Sequence, residues 1–336
     1  MIEIIEGTAN RILDESPGAV IRFRLLRDVL RRAPEDPELQ KAKEALKTSQ
    51  NIQTLAKEQG EDGGWGAFHS RSTKRRQLIP STEVGVERGL ALGLDESDPI
   101  LEKAVGYILK IMTGELDFPD YHEKNDRWNT GMRLFLASTL SLIQPGHPIL
   151  NRDRELWRSI TRRTFESGKY SEGSEIKAHA ELTGATVKNS YLVLNNRYTL
   201  NILGSRPGIL SAELESALLG WLWERPDGIG YLGIPLNREP PLKTGPLVRW
   251  LSSLALLART FPTSIRFARP SIEWLWAHQQ DGTWDFGPRP SSVSFMPLSD
   301  NWRERKDRKF DWTTRVLILL RKFYEEIPEP QYQYRS

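Results

Sequence analysis

Five short segments of the sequence share a pattern that suits ligand binding: a charged residue stands directly before an aromatic one. They are IRF (21–23), RWNT (127–130), RYT (197–199), RWLSS (249–253) and DWTTR (311–315). Arginines attract anions, and aromatic rings suit an apolar tail or a cation. The pattern favours a site for a small amphipathic molecule, with seven candidate ligand-binding residues: Arg127, Trp128, Arg197, Tyr198, Arg249, Trp250 and Trp312.

Carboxylates near these segments are candidates for proton transfer. Burial and neighbouring charge can move a carboxyl pKa toward neutrality, as general acid–base catalysis requires. Glu83 is the first choice, because it lies one residue inside a helix that opens with Ser and Thr, whereas Asp126 and Asp311 are in positions typical of helix caps. We expect these three as candidate catalytic residues and Glu87 as a ligand-binding residue. Alternatively, the four carboxylates neutralise the arginines and only seal one end of the fold.

Other kinds of chemistry lack their residues. The chain has no cysteine, which excludes disulfides, thiolate zinc sites and a cysteine nucleophile. Phosphate-binding loops, dinucleotide fingerprints and nucleophile elbows are also absent. The histidines show no pair at the i, i+4 spacing of a metal site, so we expect each to be satisfied or solvent-facing, with no metal and no cofactor. They are His69, His122, His147, His179 and His278.

Composition sets wider limits. Of 336 residues, 38% are hydrophobic and 27% charged, which is typical of a globular chain with a sizeable core. The net charge of +3 is too small to indicate nucleic-acid binding. No apolar run approaches the ~20 residues of a transmembrane helix, and the polar N-terminus does not resemble a signal peptide. We expect a cytoplasmic protein without a transmembrane segment; peripheral membrane contact stays open.

The elements that must position these residues are helices, because apolar residues recur at helical spacing almost throughout. Strongly apolar helices, such as the one containing RLFLASTLSLI, alternate with helices that carry a charged face, such as the one containing ELQKAKEALK. Buried and half-buried helices that alternate in this way predict an all-α fold, an α/α toroid of about six hairpins. We expect one domain over 1–336, with an irregular tail at 327–336. The inner helices would then begin together at one mouth of a central hollow.

Two glycine-tryptophan joints follow charged helices. EQGEDGGWG (58–66) and HQQDGTWDFG (278–287) repeat Gln, Asp, Gly and Trp in the same order, and WERPDGIGYLG (223–233) is a weaker copy with Tyr231 in the aromatic place. Glycine permits the positive φ that ends a helix sharply. The aromatic residue would then fold over the helix end and fill the gap between hairpins.

This joint resembles the QW repeat of squalene and oxidosqualene cyclases and of protein prenyltransferase β subunits, which share the α/α toroid. Gln59, Gly63 and Trp65 match it in the first copy, and Gln280, Gly282 and Trp284 in the second. The resemblance covers the hairpin plan of nearly the whole chain. It implies an isoprenoid or other small amphipathic ligand, which the arginines would allow to be anionic, held at the mouth of the inner helices.

The chain departs from that superfamily in its catalytic motifs. D-x-D-D and D-D-x-x-D are both missing, and the nearest string, DESD (95–98), is in the position of a helix cap. The cysteine ligand of the prenyltransferase zinc is missing as well. We therefore expect the fold of this superfamily and a ligand-binding site at the mouth of its inner helices, without its usual catalytic residues.

Two other functions stay open at this stage. A glycan-active enzyme would use two carboxylates about 5 to 10 Å apart, and the acidic segment 115–128 offers Asp117, Asp120, Glu123 and Asp126. A non-catalytic scaffold would bind a partner through its outer helices or through the basic segments SRSTKRR (70–76) and RERKDRK (303–309). Such segments are commonly solvated loops between helices.

Overall fold

The computed structural model describes residues 1–70, 77–290 and 295–326. The all-α prediction is confirmed: these residues form helices and no sheet, and their only bridges of the β type are two isolated ones, between Asn196 and Gly230 and between Gln280 and Thr283. The predicted irregular tail at 327–336 and residues 71–76 of the first basic segment lie outside the described residues.

The helices have the following bounds. They are α1 (Ile2–Asp14), α2 (Ala19–Arg24), α3 (Pro37–Ala45), α4 (Gln50–Glu58), α5 (Thr82–Ala91), α6 (Pro99–Thr113), α7 (Trp128–Ile143), α8 (Asn151–Thr164), α9 (Glu172–Thr183), α10 (Arg197–Leu203), α11 (Ala212–Glu224), α12 (Thr244–Thr260), α13 (Ile265–Ala277) and α14 (Arg305–Glu326). A π-helical turn at Leu25–Val29 continues α2, and short 3₁₀ turns lie at Leu46–Thr48, Pro148–Leu150 and Pro262–Ser264.

Apolar helices pack against one another in a regular order. Helix α5 contacts α7, α7 contacts α10, α10 contacts α12, α12 contacts α14, and α14 contacts α2. Arg24 Nη1 and Arg27 Nη1 of the α2 segment donate to carbonyls at the end of α5, at 3.2 Å to Leu90 and 2.7 Å to Gly93. Helices with a charged face, such as α3, α6, α8 and α13, pack against these apolar ones. The contacts suit an inner and an outer set of helices; the toroid itself stays a prediction.

Several helices begin at other residues than the sequence pattern indicates. Helix α1 was not anticipated; it packs against α14 and brings Glu6 to Arg321. Helix α14 begins at Arg305, so residues 305–309 of the second basic segment form helix and not the predicted loop. This early start also places Asp311 inside the helix. The prediction that Asp311 caps a helix is therefore wrong.

In the first glycine-tryptophan joint the predicted positive φ is found, but Gly63 lies five residues after α4 ends at Glu58, so the prediction that this glycine ends the helix is wrong. Gly63 has φ of +95°, and Trp65 is buried over the end of α4, where its Nε1 donates to the Leu55 carbonyl at 3.0 Å. The Trp65 backbone N–H donates to the hydroxyl of Thr82 at 3.1 Å. A β-carbon on Gly85 would approach the Trp65 ring to 2.5 Å, so only glycine lets the ring pack this closely on α5.

The second joint repeats these bonds. Gly282 has φ of +73°, Trp284 Nε1 donates to the Leu275 carbonyl at 2.7 Å, and the Trp284 N–H donates to the Thr313 hydroxyl at 3.0 Å. The first joint thus fastens the end of α4 to the first residue of α5, and the second fastens the end of α13 to Thr313 in the interior of α14. In the third copy Gly228 has the expected positive φ of +61°, but Tyr231 is 51% exposed and does not cover the helix end. The structural role predicted for Tyr231 is therefore wrong.

Candidate functional site

Glu83 lies at the centre of a hydrogen-bonded cluster. Its side chain is buried in the first turn of α5. The Tyr198 hydroxyl donates to Glu83 Oε2 at 2.9 Å, and His69 Nδ1 is also 2.9 Å from that atom. The same nitrogen lies 3.2 Å from the Tyr198 hydroxyl. The other carboxylate oxygen, Oε1, is buried and has no hydrogen-bond partner among the described residues.

Backbone contacts hold His69 beside Glu83. The amides of Thr82 and Glu83 at the start of α5 donate to the carbonyls of Ala67 and Phe68, at 2.8 and 3.1 Å. The Asp120 carboxylate accepts from three further amides of this loop, those of residues 68, 69 and 70, at 2.5, 3.0 and 2.6 Å. Asp120, which the glycan hypothesis would use in catalysis, is therefore a positioning residue for the His69 loop.

Aromatic rings surround the cluster. The His69 ring stacks on Phe135 with centroids 3.8 Å apart and an interplanar angle of 5°. The ring of Tyr191 stacks on that of Phe135, a residue of α7, with centroids 5.4 Å apart. The ring of Tyr198 packs edge-on against Phe135 with centroids 4.8 Å apart. Tyr231 meets Tyr198 edge-on at 5.2 Å and His69 at 5.9 Å. Offset and edge-on pairs are the favourable arrangements of aromatic rings, so the wall of the site is well ordered.

The glycine loop of the third joint places Tyr231 in this aromatic wall. This loop is fastened to the residues just before α10: the Gly230 N–H donates to the Asn195 carbonyl at 2.8 Å, and Asn195 Nδ2 donates to the Gly228 carbonyl at 3.1 Å. The neighbouring Asn196 caps α10 through its side-chain oxygen, which accepts from the Tyr198 N–H at 2.9 Å. One pair of asparagines thus positions both tyrosines.

The phenols of the site stay neutral at physiological pH. Burial and the Glu83 charge raise the pKa of Tyr198 well above its usual 10.0 and that of Tyr231 to about 12. Burial also raises the pKa of Tyr191. A neutral phenol remains a hydrogen-bond donor. Tyr198 therefore serves as a fixed donor to Glu83, and the exposed Tyr231 is available to a ligand.

Other predicted residues lie at the edge of this site. Glu87, one turn after Glu83, forms an ion pair with Arg197, whose guanidinium lies 5.4 Å from the centroid of the Tyr198 ring. Arg127 lies over the Tyr191 ring at 6.0 Å, and its buried Nε has no partner among the described residues. Trp128 is further out, edge-on to Phe118 at 5.6 Å.

The remaining predicted residues do not join the cluster. Asp126 is exposed and accepts from the Thr186 N–H at 2.9 Å; it precedes the N-cap residue of α7, so its predicted cap role is wrong. Asp311 is buried against Arg315 at 2.6 Å. The three others lie on α12 and α14: Arg249 is exposed, Trp250 packs edge-on against Trp274 at 5.2 Å, and Trp312 donates to the Gly287 carbonyl at 3.0 Å.

Sequence reasoning missed two members of the site. His69 stood alone in the sequence and was expected to be satisfied or solvent-facing, yet it shares a carboxylate oxygen with a tyrosine 129 residues away. Tyr231 was assigned to a joint. Its glycine-rich surroundings are the same as those of the tryptophans, and only the replacement of Trp by Tyr distinguished the third copy.

The surface of the described residues has other features that do not touch the cluster. A groove of about 900 Å³ lies between α8 and α11 and is lined by Arg158, Arg162, Phe165 and Leu214, among others. Within residues 1–70, 77–290 and 295–326 there is no group of three potential metal ligands. No helix in that part of the chain is long and apolar enough to cross a membrane.

Comparisons of the chain with protein-family models, with curated proteins and with solved structures find no match. The resemblance to the cyclase and prenyltransferase superfamily therefore depends on the two joints and the order of the helices. Function has to be argued from the site.

Proposed function

We propose that this protein binds a small amphipathic, isoprenoid-like molecule at the aromatic wall around Glu83, and that Glu83 Oε1 accepts a proton or hydrogen bond from the polar end of that molecule. The observation that carries the proposal is the buried Oε1 without a partner, on a carboxylate whose other oxygen is held by Tyr198 and His69. Buried polar atoms are nearly always hydrogen-bonded, so an orphan oxygen at such a site indicates a place for a ligand.

The surroundings of Glu83 suit a molecule with a polar end and an apolar body. Phe135, Tyr191 and Tyr231 present ring surface beside the carboxylate. The His69 side chain is 22% exposed and Tyr231 is half exposed, so solvent reaches the site from their side. An apolar body would lie along the rings, where burial contributes roughly 25 cal/mol per Å².

A hydrogen bond accepted at Oε1 would leave the rest of the cluster in place. The Tyr198 hydroxyl donates to Oε2 and keeps that oxygen occupied, so Oε1 is the position at which a ligand hydroxyl or amine meets the carboxylate. His69 Nδ1 is within hydrogen-bonding distance of both Glu83 Oε2 and the Tyr198 hydroxyl. Its hydrogen bond can therefore move from one of these oxygens to the other as the charge on Glu83 changes. A general base needs this kind of direct contact with the proton it removes.

The order of the helices supports a superfamily-like toroid around this site. The contacts from α5 through α7, α10, α12 and α14 to α2, with the Arg24 and Arg27 bonds back to α5, are those an inner ring would make. The glycan alternative is less favoured, because Asp120 and Asp126 are engaged with backbone amides of loops. The protein-binding scaffold leaves the orphan oxygen of Glu83 unexplained.

The test compares wild-type protein with Glu83→Gln and Tyr198→Phe. Native mass spectrometry after purification from the host, with extraction of bound lipid, identifies any ligand, and titration with farnesol followed by tryptophan fluorescence measures affinity. We expect bound isoprenoid-like material in the wild type and at least tenfold weaker farnesol binding in Glu83→Gln. Glu102→Gln, an exposed glutamate on α6, is the matched control and should bind as the wild type does.

Three outcomes would overturn the proposal. Equal farnesol affinity in the wild type and Glu83→Gln would remove Glu83 from the site. A co-purifying glycan would favour the carbohydrate-active alternative. Protein that carries no ligand and binds no farnesol would favour the scaffold.

A further inference from the structure

A second group of polar side chains lies on the later parts of α12 and α14. Arg259 is the penultimate residue of α12, and Lys322 lies on α14 close enough to Arg259 for the two charges to affect each other. The positive charge of Arg197, on α10, also lowers the pKa of Arg259. Cations that oppose one another across three helices cost free energy unless an anion lies between them.

Arg259 is held in place by neutral groups. Its Nη2 donates to the Asn201 side-chain oxygen at 2.6 Å, and Asn201 Nδ2 in turn donates to the Ser138 hydroxyl at 3.0 Å. Asn201 is buried, and the three residues lie on α12, α10 and α7. No carboxylate of the described residues forms an ion pair with Arg259. The guanidinium is therefore positioned but not neutralised.

The exposure of Arg259 and the packing of α12 against its neighbours together point to a recess. The Arg259 side chain is accessible to water, yet surrounding protein and Arg197 lower its pKa to about 10. The exposed residues of α12 recur on the same face, at Arg249, Ser252, Ala255 and Arg259. These water-exposed residues form a row along one face of α12, and the other faces of this helix pack against its neighbours. Such a row indicates a hollow on the exposed side.

Lys322 is the second unneutralised cation. Burial and Arg259 lower its pKa to about 8, and no hydrogen bond or ion pair links its Nζ to another described residue. The carboxylate of Asp28, whose charge raises the pKa of Lys322, already accepts hydrogen bonds from Arg24 and Arg27. Arg31, which also faces Lys322, is paired with Glu325 at 2.5 Å. The carboxylates around Lys322 are thus already engaged by other cations.

We infer that Arg259 and Lys322 form a binding site for a dianionic group of the phosphate type. Two unneutralised cations match two negative charges, and a guanidinium fork with an ammonium point charge is a combination that suits phosphate oxygens. The site lies near the ends of α12 and α14, and it depends on neither proton transfer nor ligand binding at Glu83.

The test measures inorganic phosphate binding by isothermal titration calorimetry at constant ionic strength. We expect Arg259→Gln and Lys322→Met each to weaken phosphate binding at least tenfold. Arg162→Gln removes an exposed arginine from the groove between α8 and α11 and is the control; it should bind phosphate as the wild type does. Glu83→Gln should also keep phosphate binding, which separates a failure of this site from a failure at Glu83.

The pH dependence gives a readout that a merely structural role for Lys322 would not produce. Sulfate stays dianionic over the whole range, so a loss of sulfate affinity reports on the protein. Because the pKa of Lys322 is about 8, affinity should fall as pH rises from 7 to 9.5, and Lys322→Met should remove that fall. Circular dichroism of both variants confirms that they are folded.

Dodecyl phosphate distinguishes a free phosphate from the head group of a lipid-like molecule. Binding at least tenfold tighter than inorganic phosphate identifies an organic phosphate with an apolar tail, and equal binding identifies the free ion; either supports the site. Phosphate binding that is absent in the wild type, or unchanged in both folded variants, would overturn the inference.

Discussion

Helices α5 and α14 are fastened by the same kind of joint but differ in the chemistry beside it. In both, a glycine with positive φ lies in the loop after a helix, a buried tryptophan covers the end of that helix, and a threonine hydroxyl accepts the backbone N–H of the tryptophan. At α5 the nearby carboxylate, Glu83, has one oxygen without a partner among the described residues. At α14 the carboxylate of Asp311 is fully paired.

The pairing of Asp311 explains why it forms no site. Arg315 donates to Oδ1 at 2.6 Å, and the backbone amides of Leu298 and Ser299 both donate to Oδ2. The neighbouring rings of Phe295, Trp302 and Trp312 pack edge-on against one another. A repeated joint therefore fixes an apolar helix against the end of the preceding one, and the loop that packs on that helix decides whether the nearby carboxylate has a partner.

The largest expected effect tests whether the two joints are equivalent. Trp65→Ala and Trp284→Ala should each lower the free energy of unfolding by about 3 to 5 kcal/mol, since each removes a fully buried ring. Tyr231→Ala should lower it by less than about 1 kcal/mol, because the ring is half exposed. Urea denaturation measures all three. If Tyr231→Ala lowered the free energy of unfolding as much as the two tryptophan variants do, the third joint would have the same structural role as the other two.

The carboxylates should differ in their contribution to stability. Asp311→Ala leaves two buried amides without an acceptor and Arg315 without its partner, so we expect a loss of about 3 kcal/mol. Glu83→Gln keeps an acceptor for Tyr198 and should change stability by less than about 0.5 kcal/mol. Chemical denaturation of both variants is the measurement. Comparable losses would mean that Glu83 is a structural residue like Asp311.

The two threonines should match in stability and differ in ligand binding. Thr82→Val and Thr313→Val each leave a tryptophan N–H without its acceptor, at a cost of about 1 to 2 kcal/mol. Only Thr82→Val should also weaken farnesol binding, because Thr82 precedes Glu83. If Thr313→Val weakened binding to the same degree, the site would extend to α14.

The smallest effect concerns pH. Burial raises the pKa of Asp311 above its usual 3.8, so the folded protein holds that proton more tightly than the unfolded chain does. The stabilisation is fully present below pH 3.8 and is lost as pH rises through the folded pKa. The difference in unfolding free energy between the wild type and Asp311→Asn should therefore change as the pH rises from 3.8 through the folded-state pKa of Asp311. The exposed control, Glu102→Gln, should show no such change.

Much of the fold follows from the sequence for local reasons. Helical periodicity comes from apolar residues three and four apart, and the joints come from glycines that permit positive φ. Both are properties of short segments; the helical periodicity and the positive φ of the joint glycines are confirmed, whereas the positions of helix ends and starts are not. Helix α14 begins six residues before Asp311, and in this added segment Arg308 pairs with Asp285 and Lys306 with Glu15, contacts that the local pattern does not contain.

The site was only partly predictable. Glu83 is buried near the start of α5, the position that the sequence pattern indicates, and Tyr198 and the pair of Glu87 with Arg197 lie beside it. His69 and Tyr231 reach the same place on loops that are fastened by Asp120 and Asn195. Loop positions of this kind carry no periodicity, so their side chains have no signal in the sequence.

By itself, the sequence determined that this chain is helical, where its sharp joints lie and which carboxylate is buried at a helix start, because all three depend on residues that are neighbours along the chain. Only the tertiary structure decided that Glu83 Oε1 has no partner among the described residues, that Asp311 is fully paired, and that no described carboxylate forms an ion pair with Arg259 or Lys322. Those facts depend on which distant donors reach each charge, and hydrogen bonds and ion pairs are made or left unmade over a few ångströms.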